Sequence, residues 1–244
     1  MTNIWAIFKR EFQAYFTTPI ACVFLAIFVF LGGIFAMYLG DFLDRGQADL
    51  EAFFRFHPWL YLFLIPALSM RLWAEERRGG TIEVLFTLPV TMPQAVIAKF
   101  LAAWAFCAVA LALTFPIWIT VNYLGDPDNG VIVASYVGSF LMAGAFLAIG
   151  SCMSALTRNQ VIAFVVSAVV CLGFVLSGFP LVLEFFSGWV PPMVLEAISS
   201  FSFLTHFTAI SKGVIDLRDL VYFASLIVFW LFASALFIDL KKAQ

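Results

Sequence analysis

The side chains that could perform chemistry are few in this sequence, and their spacing favours structural roles. The tetrapeptide Tyr-Leu-Gly-Asp occurs twice, at Tyr38–Asp41 and Tyr123–Asp126. Each copy closes an apolar run, so its glycine is predicted to cap a helix while its aspartate faces water. The sequence contains neither a His-Glu-x-x-His zinc motif nor a Gly-x-Ser-x-Gly nucleophile motif. We therefore expect no catalytic residue and no metal site, and the chain is predicted not to be an enzyme.

The two histidines, His57 and His206, are the other candidates for chemistry. Both fall in segments predicted to face away from the cytoplasm, where haem ligation between them is conceivable. An interfacial histidine is the favoured interpretation, because aromatic residues flank both positions. The sequence also lacks the Gly-x-x-x-x-Gly-Lys-Ser/Thr loop that binds nucleotide phosphates. We expect no cofactor in this chain, so any ATP and Mg²⁺ would belong to a partner.

The composition indicates a membrane protein. Of the 244 residues, 64% are hydrophobic and 11% are charged, whereas soluble domains contain about 25% charged residues. The mean hydropathy is +1.03, and a soluble domain of this size cannot bury so much apolar surface. The net charge of −2 excludes the broad basic surface that binds nucleic acid. The lipid bilayer is therefore the expected surroundings of most of the chain.

Long apolar runs must position these residues, and each is near the length of about 20 residues that crosses a bilayer as a helix. They predict an all-α polytopic membrane protein, a single transmembrane domain over residues 1–244. The six predicted spans are 20–39, 58–72, 100–124, 131–156, 161–183 and 220–238. The second span is the shortest and contains Pro66, which predicts a kink or a ragged end there.

Lys and Arg are distributed unequally between the two sides, which predicts a cytoplasmic location for both termini. With the N-terminus inside, the inner segments hold nine of them: Lys9, Arg10, Arg71, Arg77, Arg78, Lys99, Arg158, Lys241 and Lys242. The outer segments hold four: Arg45, Arg55, Lys212 and Arg218. No basic segment leads into a short apolar core with a small-residue cleavage site, so no signal peptide is expected.

Ionisable residues are not found well inside the predicted spans. Glu184, Asp219 and Asp239 fall at helix ends, where water or lipid headgroups are expected to reach them. A proton- or sodium-coupled carrier usually needs such a residue partway across the membrane. The pattern disfavours ion coupling, and an ATPase-independent carrier or channel is the alternative function class.

Residues 3–16 predict an amphipathic helix that lies in the membrane interface. Its apolar residues recur at helical spacing, with charged residues largely on the remaining face: Ile4, Trp5, Phe8, Phe12, Tyr15 and Phe16. Thr18 and Pro19 are expected to break this helix before the first span. A simple aromatic anchor is the alternative to a helix that transmits motion to the bundle.

The longest predicted cytoplasmic loop, residues 74–92, contains a block of four charges followed by Gly79 and Gly80. A short helix is predicted after the glycines, with Thr81 as its N-cap and Glu83 in its first turn. Its apolar face would hold Ile82, Leu85 and Phe86. An exposed apolar face flanked by charge favours a docking site for another protein. A loop packed against the membrane is the alternative.

The outer connection, residues 184–219, contains two apolar segments that are each too short to cross a membrane. They run over 190–200 and 203–212 and predict a pair of half-helices that dip into the outer leaflet, with a surface-lying aromatic hairpin as the alternative. The residues predicted to form this outer gate region are Pro191, Pro192, Phe201, Phe203, His206 and Phe207.

Small residues recur every fourth position in the fourth span, at Ser135, Ser139 and Ala143. Such spacing lets helix backbones approach closely. Packing within the bundle is the favoured interpretation, and a subunit interface is the alternative.

The stretch 75–90 resembles the coupling-helix region of type-2 ABC transporter permeases: Glu-Glu-Arg-Arg-Gly-Gly-Thr-Ile-Glu-Val-Leu-Phe-Thr-Leu-Pro-Val. Together with the interfacial helix and the six spans, the resemblance covers nearly the whole chain. The resemblance is greatest to the bacterial gliding-motility and copper-site-maturation permeases. Residues 206–222 also resemble these permeases. The family implies a membrane-spanning subunit of an ATP-driven exporter in the bacterial inner membrane.

The resemblance also implies the partners and the contact residues. The loop would dock on a separate ABC ATPase subunit beside a second permease copy or paralogue, and an auxiliary periplasmic subunit is plausible. A smaller ATPase contact would come from the turn that holds Arg158. The implied coupling residues in the loop are Glu75, Glu76, Arg77, Arg78, Gly80, Thr81 and Glu83, with the apolar Ile82, Leu85 and Phe86.

Overall fold

A computed structural model of the chain describes residues 2–80, 90–187 and 191–240, and within these ranges it contains helices and no strand. The helices are α1 Thr2–Thr17, α2 Pro19–Ile34, α3 Glu51–Phe54, α4 His57–Ser69, α5 Arg71–Gly79, α6 Met92–Ala112, α7 Phe115–Leu124, α8 Asn129–Leu156, α9 Gln160–Leu176, α10 Pro180–Ser187, α11 Pro192–Ser200, α12 Phe203–Ser211 and α13 Leu217–Leu240. The chain is an all-α polytopic membrane protein.

Four helical segments of the described chain are long and apolar enough to cross a membrane: Ala21–Leu39, Met92–Leu124, Asn129–Leu156 and Leu217–Leu240. They agree with the first, third, fourth and sixth predicted spans. Two further pairs of helices pass the same criterion only when joined, and each pair is bent. The bend is 74° between α9 and α10 and 66° between α11 and α12. The bundle therefore has four to six crossings.

The second predicted span, 58–72, does not meet this length criterion with α4 alone. The helix at this position, α4, has 13 residues with Pro66 inside it. At about 1.5 Å per residue it is roughly 20 Å long, which is less than a hydrocarbon core of about 30 Å. The backbone of Met70 is helical, so α5 follows α4 directly. The prediction ended this helix at Leu72, whereas in the structure it continues through the charged α5 to Gly79.

The third predicted span begins earlier in the structure, at Met92 rather than at Phe100. Thr91 and Gln94 form a reciprocal capping box there, and Pro93 occupies the first turn. Both features are typical of a helix start. As a result Lys99 lies two turns inside α6 instead of at its end.

The centre of the bundle is α8, which packs against α4, α6, α9, α12 and α13. Its small residues are at these contacts, since Ser135, Ser139 and Ala143 are all buried. At Gly150 an added Cβ atom would come within 1.9 Å of the Ser69 hydroxyl oxygen. This close approach to α4 supports the interpretation of the small residues as packing positions.

The two Tyr-Leu-Gly-Asp copies end helices as predicted, but their glycines are needed for space and not for a left-handed cap. The last turn of the first span is a π-helical turn, Phe35–Leu39, and Gly40 follows it with a φ of −91°. A Cβ atom on Gly40 would be 2.7 Å from that of Ala52, and one on Gly125 would be 2.5 Å from that of Ala48. Both helix ends thus contact the same outer segment.

Candidate coupling site

The predicted coupling residues divide into two groups. Glu75, Glu76, Arg77, Arg78, Gly80 and Arg158 lie in the described parts of the chain. The remaining predicted residues lie outside the described residues: Thr81, Ile82, Glu83, Leu85 and Phe86. The described group belongs to α5 and to the turn between α8 and α9. The site is therefore built from α5 and its neighbours.

The first turn of α5 is held by a serine of α8. The Ser154 hydroxyl accepts hydrogen bonds from the backbone N–H groups of Trp73 (3.1 Å) and Ala74 (3.0 Å). It donates to the backbone carbonyl of Met70 at 2.8 Å. A helix start leaves N–H groups without partners inside the helix, and α5 receives no side-chain cap from its own N-cap residue. Ser154 satisfies this need from the centre of the bundle.

Two further contacts fix α5 on α8. Trp73 is fully buried, and its indole N–H donates to the Ser151 hydroxyl at 3.1 Å. The guanidinium of Arg77 donates to the backbone carbonyl of Ala155 at 2.5 Å. The contacts span more than one turn of α5, so the helix is held at several points along its length and cannot pivot about a single bond.

The predicted second contact, Arg158, lies beside α5. Burial and then the nearby charge of Arg158 lower the pKa of Arg77 below its ordinary value. Arg78 and Arg158 are both exposed. The structure therefore brings the two predicted contact regions near each other at Arg77 and Arg158.

Glu75 and Gly80 have local roles. Glu75 accepts a hydrogen bond from Arg71 at 2.8 Å, and this bond is the main cause that lowers the pKa of Glu75. An exposed pair of this kind contributes about 1 kcal/mol at most. Gly80 ends α5 with a φ of +70°, a left-handed conformation that favours glycine. The predicted glycine break is thus present at the end of the charge block.

Lys99 is buried and is part of the site, although the sequence analysis placed it just before the third predicted span. The Lys99 ammonium on α6 is 2.7 Å from Glu76 Oε1 on α5 and 3.2 Å from Glu11 Oε2 on α1. Lys99 is only 3% exposed and lies 5.4 Å from the centre of the Trp73 ring. We call Lys99, Glu11 and Glu76 the Lys99 cluster. The capping signal at Thr91 was the one feature of the sequence that could have placed this lysine inside a helix.

Glu11 is ionised in this cluster. Its burial acts to raise its pKa, but the charge of Lys99, together with the hydrogen bond and charge of Arg10, outweighs that effect. The pKa of Glu11 is therefore below its ordinary value. A carboxylate on α1 thus faces an ammonium on α6.

The predicted interfacial helix is present as α1, which packs along α6. The Tyr15 ring stacks on Phe106 with their centres 5.0 Å apart, whereas Trp5 is 66% exposed. Thr18 is extended and Pro19 begins α2, so the predicted break is confirmed. One side of α1 is fixed to the bundle and the other is open.

The predicted outer gate residues do not form one surface. Pro191, Pro192 and Phe201 are exposed. In contrast, Phe203, His206 and Phe207 are buried on α12, which packs on α8. Two short helices occur in this region, as predicted, and the second is part of the packed bundle.

His206 and Asp219 form a buried pair, which corrects two expectations. His206 was predicted to lie at the interface and Asp219 to face water, yet they are 5% and 6% exposed. His206 Nδ1 is 2.5 Å from Asp219 Oδ1, and its Nε2 is 2.8 Å from the backbone carbonyl of Ser200. Both ring nitrogens of His206 therefore have a polar partner. The pair connects α12 to α13.

Haem ligation between the histidines receives no support from the geometry. Both nitrogens of His206 already have partners, and His57 Nδ1 is 2.7 Å from the Ser139 hydroxyl. The described residues contain no group of three or more His, Cys, Asp or Glu side chains that could hold a metal ion.

The comparisons with known proteins agree with this architecture. A family model described as ABC-2 family transporter protein matches residues 5–238, from α1 into α13. No curated protein matches the chain. The match includes α5, the Lys99 cluster and the outer helix pair.

Proposed function

Because this chain belongs to the ABC-2 family of transporter proteins, we propose that its transport cycle is driven by a separate ATPase subunit that docks at α5 and the segment after it. As a family member the chain is a multi-pass membrane permease of an ABC transporter. The ATPase would bind and hydrolyse ATP, and the permease would export a substrate or transmit motion to a periplasmic partner.

The observation that carries this proposal is the attachment of α5 to α8. Ser151, Ser154 and the carbonyl of Ala155 hold α5 at three places along the central helix. A displacement applied to the end of α5 would therefore act on the whole bundle and would not be lost in a loose loop. Such an attachment is what a lever between an ATPase and a membrane domain requires.

The charges at this end of the bundle support the same proposal. The charge of Arg158 acts on Arg77, and Arg78 is the next residue along α5, close in sequence to the predicted coupling segment. Complementary charge fixes the register of two docking proteins and increases their association rate. We expect an acidic surface on the ATPase opposite these three arginines.

In this proposal two permease copies, or one copy and a paralogue, lie side by side in the bacterial inner membrane with their termini in the cytoplasm. Closure of the two ATPase subunits on ATP would shift the bundles from an inward-closed to an outward-open state. An auxiliary subunit with a periplasmic domain would receive the motion if no substrate passes through the bundle.

An ATPase-independent carrier is the second candidate, and one observation favours it. His206 and Asp219 are a buried ionisable pair in a membrane protein, and such pairs occur in ion-coupled carriers. Uphill transport by the purified chain alone in liposomes, driven by an ion gradient, would support this candidate and contradict the first.

Docking can be tested by co-expressing the permease with a candidate ABC ATPase subunit from the same organism and co-purifying the two. Leu85→Asp places a charge on the predicted apolar face and should abolish recovery of the ATPase, while the permease still inserts in the membrane. Val214→Asp is the matched control, because Val214 is 62% exposed in the connection between α12 and α13. Equal ATPase recovery with both variants would refute docking at this segment.

A further inference from the structure

Two helices at the proposed docking end are connected by very few direct contacts. The amphipathic α1 packs on α6 and α2, whereas α5 packs on α8, α4 and α9. Lys99 bridges them, because its ammonium lies within 3.2 Å of a carboxylate on each. The connection between α1 and α5 thus depends on a residue of a third helix.

A cavity of about 140 Å³ separates α1 from the junction of α4 and α5. Ala14 and Tyr15 line it from α1, and Leu68 and Leu72 line it from the other side. Closely packed side chains transmit displacements, whereas a void leaves the facing surfaces without contacts. Apolar packing is therefore interrupted at the place where the Lys99 cluster provides ion pairs.

The arrangement of charges in the cluster also favours a connecting role. Lys99 is buried in the interior of α6, and its ammonium lies 5.4 Å from the centre of the Trp73 ring on α5. Removing either carboxylate leaves the ammonium paired with the other one. The two ion pairs can thus be tested separately, which is rare for a buried charge.

We propose that Lys99 is a positioning residue that transmits displacement of α5 to the interfacial helix α1. This inference rests on the proposed function, since it requires an ATPase that displaces α5. Each nucleotide-driven shift of α5 would change the position of Glu76, and through Lys99 and Glu11 it would change the attachment of α1. Without the second ion pair, α1 would remain where its packing on α6 holds it.

Hydrogen–deuterium exchange of the permease–ATPase complex, with and without ATP, tests this proposal. Glu11→Gln removes the ion pair to α1 but keeps the shape of the side chain and the Lys99–Glu76 pair. In the unmodified complex we expect ATP to change the amide exchange of both α5 and α1. In Glu11→Gln the change in α5 should persist, while the ATP-induced change in α1 should be lost.

Lys9→Gln is the matched control, because it removes an exposed charge from the same helix and should leave both responses intact. Lys99→Arg keeps the positive charge and should retain most of the α1 response. Glu76→Gln is a second test of the same connection. Glu76 lies on α5, yet its replacement should also remove the response of α1.

The outcomes separate this inference from the proposed function. If ATP changes α5 but α1 responds equally in Glu11→Gln and Lys9→Gln, Lys99 does not transmit the displacement. If ATP and the ATPase leave the exchange of α5 itself unchanged, the proposed docking at α5 fails and the transmission role fails with it.

Discussion

At the scale of single residues, Lys99 and Ser154 are buried polar groups whose partners are distant in the sequence. Lys99 is paired with Glu11 and Glu76, and the Ser154 hydroxyl holds the start of α5. A buried polar group without a partner is costly, so each of these contacts fixes the relative position of two or three helices. They determine which helices move together.

Ser154→Ala should destabilise the permease, because it leaves the N–H groups of Trp73 and Ala74 without their acceptor. We expect a loss of about 1–3 kcal/mol, the usual cost of a buried unsatisfied donor. Thermal unfolding followed by tryptophan fluorescence in detergent measures it. Ser199→Ala, at an exposed serine that bonds only within its own helix turn, should be close to neutral.

The attachment of α1 should depend on pH through Glu11. Since the pKa of Glu11 is lowered in the fold, its ion pair stabilises the fold fully above the ordinary pKa of 4.5 and is lost as the pH falls through the lowered value. The protection of the α1 amides, taken relative to their intrinsic exchange rate at each pH, should thus be unchanged between about pH 7 and 5 and fall in stronger acid. The Glu11→Gln variant should lack this dependence. An identical pH profile in that variant would contradict the role of Glu11.

None of these pairings could be predicted from the sequence. Glu11 and Lys99 are brought together by the packing of α1 on α6, and no local spacing encodes that packing. The charge of Lys99 made the lysine resemble the end of a span, because an isolated lysine is costly in lipid. Its partners remove that cost, and they become apparent only in three dimensions.

At the scale of helices, boundaries were predictable wherever Pro, Gly or Thr gives a local signal. The α1–α2 break at Thr18 and the outer helices α11 and α12 lie within two residues of the predicted limits. Hydropathy did not predict where α4 ends. The helix continues past its apolar residues into the charged α5, and hydropathy detects only the apolar part. The bend between α9 and α10 follows Gly178, which packs against Ser202, a contact that hydropathy does not encode.

The close approach of α4 to α8 can be tested at Gly150. In Gly150→Ala the new Cβ atom would lie 1.9 Å from the Ser69 hydroxyl oxygen and must displace α4. We expect a loss of about 1–3 kcal/mol, as for other overpacked cores. Gly173→Ala is the control, since nothing lies within 4 Å of its Cβ position, and alanine should stabilise that helix by up to about 1 kcal/mol. Thermal unfolding compares the two variants. Equal stability would show that the α4–α8 contact can relax.

At the scale of the whole molecule, α8 connects two polar sites near its ends. At one end, Ser135 contacts α12, since its hydroxyl is 3.3 Å from the carbonyl of Ser211. At the other end, Ser154 holds α5. The two serines are roughly 28 Å apart along the helix, which is close to the thickness of a hydrocarbon core. The α5 site and the His206–Asp219 pair thus belong to opposite sides of the bundle.

This separation predicts which positions a membrane-impermeant thiol reagent reaches in intact cells. Of the four cysteines only Cys22 is exposed, so Cys22→Ser provides a background with buried thiols. Lys212→Cys should be labelled from outside, whereas Arg158→Cys should be labelled only after the membrane is opened. Labelling of both variants from outside would contradict the proposed orientation.

The π-helical turn at Phe35–Leu39 has a consequence for how this chain can vary in length. A π turn holds one residue more than an α turn would over the same hydrogen-bonding interval. Deleting Met37 should therefore restore a regular helix and leave Gly40 close to its present direction, facing Ala52. Homologues that lack this residue are expected to keep a small residue in place of Gly40, because the approach to Ala52 does not depend on the extra residue.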